Sequence, residues 1–174
     1  CLGASPTSSS VGPNIGLEVI DDEEDLALQL ARSLRAEQLE IGIRSEGVPR
    51  DILHGPAKGV TVEPIGIRRD QLTPDQQRLL ERLIDVHLGL LCSPLEQAEK
   101  RRIENAGLDS IRFCWWRPPE KNKKHSYRIH GPTTMIELVR VAGNPGHVHI
   151  VRRDPARDLD QSPLHQHLVE AHGK

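Results

Sequence analysis

The feature that most constrains this chain's fold is a change of hydrophobic period at Gly107. Before it, leucines recur at helical spacing; after it, short runs of β-forming residues alternate with turn residues. Leu26, Leu30 and Leu34 stand at i, i+4 and i+8 behind the acidic run Asp21 to Asp25. Carboxylates are favoured at a helix start by the exposed amides and the macrodipole, so the run reads as a charged first turn, with cation binding as the functional alternative. A second helix is announced by Thr73-Pro74-Asp75-Gln76, where Thr73 can N-cap, Pro74 pre-sets φ and Gln76 completes a capping box. Leu79, Leu80, Leu83, Ile84, Leu88 and Leu91 follow, with His87 on their apolar face as a core histidine. Ser93-Pro94-Leu95-Glu96 repeats the start signal and Gly107 is a natural stop, which predicts a third helix over 94–106. Lys100-Arg101-Arg102 near its end suits the dipole better than a nucleic-acid patch.

Beyond Gly107, Ile111 to Trp116, Ser126 to His130, Thr134 to Val141 and Val148 to Arg152 predict four strands separated by Gly- and Pro-rich turns. Leu164, Leu168 and Ala171 then predict a helix over 163–172. The expected fold is α+β: N-terminal helices, an antiparallel β-meander and a C-terminal helix. Residues 1–20, rich in Ser, Pro and Gly, read as an extended arm or truncated connection, and 21–174 as one α+β domain.

Charge excludes one class of function. With 23 Lys+Arg against 25 Asp+Glu, a nucleic-acid partner held by bulk charge is not expected. No run approaches the ~18 apolar residues of a membrane span. Cys1, Cys92 and Cys114 show no paired spacing and read as free thiols. The chain opens on Cys1 without the basic and apolar regions of a signal peptide, which reads as a truncated or processed start.

Chemistry concentrates in the last third. Seven of the nine histidines follow residue 124, and all four aromatic residues lie in two adjacent predicted strands. Trp115 and Trp116 point to opposite faces, which favours core packing over a binding indole. His147-Val148-His149 puts two imidazoles on one strand face, a spacing that suits zinc, iron or manganese but supplies only two ligands. In any register pairing odd with odd residues, Glu137 shares that face as a carboxylate ligand or general base; an ordinary solvated face of Glu and His is the plain alternative. Asp154 could accept from a ring N–H of a ligating histidine, and Arg153 could clamp a substrate carboxylate. The plain alternative for Arg153-Asp154-Pro155 is a strand-exit turn. Cys114, between Phe113 and Trp115, reads as inert packing.

Tyr127-Arg128-Ile129-His130-Gly131-Pro132, Ile136-Glu137, His147-Val148-His149, Arg153-Asp154-Pro155, Asp158, Leu164 and His167 resemble the C-terminal signature of a bacterial and fungal family, the domain of unknown function numbered thirty-five hundred. Leu2 to Pro6, Gly16-Leu17, Pro49-Arg50-Asp51-Ile52-Leu53, Leu72-Thr73-Pro74 and Ile111-Arg112-Phe113 are similar to it in the same order. The resemblance implies that Glu137, the histidine pair, the Arg-Asp-Pro turn and His167 belong together. It also implies a longer protein with a Gly-His-His-type segment upstream and often an export signal, of which this chain is the C-terminal half and against which it packs. Asp160, Ser162, Leu168 and Arg152 depart from the family pattern, which leaves a diverged, inactive copy as one reading.

The leading expectation is a metal-dependent site with His147, His149, Glu137 and His167 as ligands of zinc, iron or manganese. Glu137, Arg153 and Asp154 would act on a small-molecule substrate, by hydrolysis before oxidation. The alternative is a non-catalytic binding or scaffold protein.

Overall fold

The computed structural model describes residues 2–45, 47, 49–52, 62–120, 123–141, 146–155 and 170–173. Helices α1 (Asp21–Ser33), α2 (Ala36–Gly42), α3 (Pro74–Leu88) and α4 (Ser93–Asn105) precede strands β4 (Arg112–Trp116), β5 (Ser126–His130), β6 (Met135–Arg140) and β7 (Val148–Arg153). Three short strands come earlier in the chain: β1 (Leu2–Ala4), β2 (Ile43–Arg44) and β3 (Ile67–Arg68). No described helix is long and apolar enough to cross a membrane.

Helix α3 starts as its sequence dictates. The Thr73 hydroxyl accepts from the Gln76 amide, the Gln76 side chain returns to the Thr73 amide, and Pro74 occupies the first turn. Of the expected helix over 163–172, only 170–172 fall among the described residues, and these are helical.

β4 to β7 pair antiparallel in succession, but the whole sheet is mixed rather than an antiparallel meander. β2 joins β4 in parallel and β3 pairs with β4 antiparallel, because the segment after α2 returns to the edge of β4. β1 pairs antiparallel with β7, so the start of the expected arm is a strand at the other edge. A two-residue strand such as β2 or β3 carries too little periodicity to be read from sequence. Gly66, just before β3, has φ +101°, and a Cβ there would lie 2.2 Å from the Phe113 carbonyl oxygen. Only glycine lets the backbone approach β4 so closely.

The register gives the sheet two unlike faces. Phe113, Trp115, Tyr127, Ile129, Ile136, Leu138, Val148 and Ile150 point one way and form a single core with Leu26, Leu30, Leu80, Leu83 and Ile84 of the helices. Cys114, Trp116, Arg128, Glu137, His149 and Arg153 point the other way. Trp115 and Trp116 thus lie on opposite faces, both buried.

A buried polar chain runs into the core. His87 Nε2 lies 2.8 Å from the Tyr127 hydroxyl, which donates to the Glu23 carbonyl at 3.3 Å. Burial first, and the nearby charge of Arg152 second, push His87 from 6.5 down to about 4. A folded value below the unfolded one makes this contribution fully present above pH 6.5 and progressively lost as pH falls toward 4. Over that window the loss is roughly 3 kcal/mol. Urea unfolding at pH 7 and pH 4.5 should therefore show a smaller acid loss for His87→Gln than for the wild-type chain.

Candidate functional site

The histidine pair is assembled at one edge of the sheet. His149 lies in β7, paired with Val139 of β6 on one side and Gly3 of β1 on the other. His147 stands just before β7, where its carbonyl accepts from the Val141 amide. Two-residue spacing puts both rings on one face, and their Nε2 atoms approach to 2.8 Å. The rings meet edge to face, with centroids 4.6 Å apart. A Cβ at Gly3 would sit 3.3 Å from the His149 ring, so the absence of a side chain there leaves the imidazole its space.

A residue from a distant segment completes the arrangement. Asp51 Oδ1 lies 2.5 Å from His149 Nδ1. The hydrogen bond from His149 holds the Asp51 carboxyl below its ordinary range, against a smaller opposing effect of burial. The chain of contacts therefore runs Asp51, His149 Nδ1, His149 Nε2, His147 Nε2. Two nitrogens 2.8 Å apart subtend roughly 90° at an ion ~2.0–2.1 Å from each. The same separation is that of an N–H···N hydrogen bond between the rings.

Glu137 shares the face of the pair, as the odd-with-odd register requires. It is paired with Val151, one diagonal step from His149. Its carboxylate engages the neighbouring strand on the opposite side: Arg128 donates to Oε1 from Nε at 3.0 Å and from Nη2 at 2.8 Å. Both side chains are 4% exposed, and the Arg128 guanidinium stacks over Trp116 at 5.4 Å. Cys114, paired with Arg128, is buried; burial pushes its thiol up to about 11 although Arg44 and Arg128 pull the other way. A thiol held there is protonated at neutral pH, which agrees with an inert packing role.

The Arg-Asp-Pro turn is divided between the two faces. Arg153 pairs with Met135 at the far end of β7, on the face of Glu137. Asp154 instead receives Arg102 of α4, which also donates to Glu99 at 2.7 Å, while Arg152 reaches Glu99. The carboxylate on the His149 ring is thus Asp51, while Asp154 ties β7 to α4. His167 lies outside the described residues, as do Asp158, Asp160 and Leu164. Among the described residues, no three His, Cys, Asp or Glu side chains form a group able to hold a metal ion.

The acidic run is not wholly a solvated first turn. Glu24 turns inward, where Arg140 donates from Nε at 2.8 Å and from Nη2, and His125 Nε2 lies at 2.9 Å. Burial acts to raise the Glu24 carboxyl, but His125 and Arg140 outweigh it and hold it below the usual range. His125 also stacks on Trp115 at 4.5 Å. These residues line a cleft of about 70 Å³ on the helix side of the sheet, separate from the histidine pair.

Asp51 and Arg128 were not singled out by pattern. Both stand inside segments that carry the family resemblance, and that is the signal that could have found them.

The family model for proteins of unknown function DUF3500 matches residues 1–161. The chain belongs to the DUF3500 family. No curated protein and no solved structure matches the chain. The DUF3500 match spans the histidine pair, Asp51, the Arg128–Glu137 ion pair and the Arg-Asp-Pro turn.

Removing one partner of the Arg128–Glu137 pair takes an opposite charge away from a buried one. Glu137→Leu should cost about 3–5 kcal/mol of stability, whereas Arg128→Met/Glu137→Leu together should recover most of it. Chemical denaturation of the single and double variants checks this.

Proposed function

We propose that this DUF3500 chain carries a divalent-metal site, built on His147 and His149, that activates water for hydrolysis of a small-molecule substrate. The observation that carries this reading is the convergence of the two Nε2 atoms at 2.8 Å, with His149 held from behind by Asp51. A carboxylate bound to the remote nitrogen of an imidazole is the usual support of a metal-ligating histidine. Glu137, on the same face, is the carboxylate beside the site, and His167 is the third imidazole that the resemblance brings to it. Arg153, also on that face, is the candidate clamp for a substrate carboxylate. Oxidation at the same metal is the variant chemistry.

A non-catalytic binding or scaffold protein, or a diverged inactive copy, is the second reading. Its support is the engagement of Glu137 by Arg128 and of Asp154 by Arg102, which gives both carboxylates structural partners.

Elemental analysis of the purified protein beside His147→Ala/His149→Ala separates the two. A near-stoichiometric transition metal in the first and its loss in the second, with folding intact by circular dichroism, is the expected result. Equal metal content in both proteins would sink the assignment.

A further inference from the structure

We propose that Asp51 is a positioning residue that fixes His149 in its Nδ1–H tautomer, so that a bare Nε2 faces His147 and an incoming transition-metal cation. The part of this inference that concerns metal rests on the reading above; the tautomer does not.

The proton placement follows from what each atom can do. An ionised carboxylate only accepts, so the proton between Asp51 Oδ1 and His149 Nδ1, 2.5 Å apart, belongs to the imidazole nitrogen. A neutral imidazole has one N–H, and with that N–H at Nδ1 its Nε2 carries a lone pair. The contact between the two Nε2 atoms then needs a donor, and His147 supplies it. The relay is directional: His147 Nε2–H donates to His149 Nε2, and His149 Nδ1–H donates to Asp51. In the opposite tautomer His149 would aim a lone pair at a carboxylate, which is repulsive.

The relay also defines the class of ligand. Once His147 shifts its proton to Nδ1, two neutral Nε2 lone pairs converge without any charge having to be removed from the protein. Paired imidazoles suit zinc, copper, nickel and iron, whereas magnesium and calcium prefer oxygen ligands. A side chain three-fifths exposed, as Asp51 is, holds little of the fold together, so its removal tests the relay without unfolding the chain.

The experiment pairs two readouts on the full chain. Long-range ¹⁵N–¹H spectra of the metal-free protein, with the rings assigned through His147→Ala and His149→Ala, report the tautomer of each ring. The wild-type chain should show His149 as Nδ1–H. Asp51→Ala should mix or reverse that tautomer, and Asp51→Asn, which keeps an acceptor oxygen, should restore it in part. Titration with Zn²⁺ alone should show a 10- to 100-fold weaker affinity for Asp51→Ala than for wild type. His149 showing Nε2–H in the wild-type chain, or one unchanged tautomer in wild type and Asp51→Ala, overturns the proposal. The expected tautomer shift with no Zn²⁺ binding by the wild type supports the positioning role and removes the metal reading.

Discussion

The register of β4 to β7 is the constraint on which the rest of this structure depends. Four consecutive antiparallel strands hold one parity toward the helices: odd residues on β4 and β5, even residues on β6 and β7. A slip of one residue would exchange the faces, burying Glu137 and His149 among the helix leucines and lifting Leu138 and Ile150 out of the core. Burial of Phe113, Tyr127, Ile129, Ile136 and Leu138, all below 1% exposure, opposes such a slip strongly. The faces taken by Glu137, His149 and Arg153 follow from that apolar choice.

Charged pairs then complete what the apolar face begins. Arg140 and Arg152 share the helix-facing parity, yet each meets a glutamate of the helix layer, Glu24 of α1 and Glu99 of α4. On the opposite face Arg128 meets Glu137 across adjacent strands. The two buried pairs, Arg140–Glu24 and Arg128–Glu137, give little net stability over apolar replacements, but each is costly to break in half. They are therefore sensitive to register: Arg128 and Glu137 are directly opposite only in the observed pairing of β5 with β6. In this sense the ion pair records the register that the core imposes.

What was legible in the sequence follows from the range of the forces involved. Helix starts are local, and the capping box at Thr73 to Gln76 could be read from four residues. So could β5, bounded by turn residues, and the core role of His87 on a leucine stripe. The shared face of Glu137 and His149 needed only the parity of one hairpin. The mixed sheet was not legible, because β1, β2 and β3 are two or three residues long and owe their form to the neighbours they pair with. Nor was the partner of His149, since Asp51 lies 98 residues away in the chain. The inward turn of Glu24 was hidden for the same reason, its partner Arg140 being 116 residues on.

The contrast between Asp51 and Asp154 shows how chain proximity misleads about chemistry. Asp154 is five residues from His149 and directly follows the end of its strand, which makes it the natural carboxylate to place behind that ring. A strand advances ~3.3 Å per residue, so five residues carry the backbone roughly 16 Å away. At that distance Asp154 reaches α4 and Arg102 instead. The carboxylate behind His149 comes instead from Asp51, on a segment distant in the chain. Beyond β7 lies only the three-residue β1. Gly3 at the middle of β1 lies against the His149 ring without crowding it. A thin edge strand and a distant carboxylate thus flank His149 and hold its ring in place.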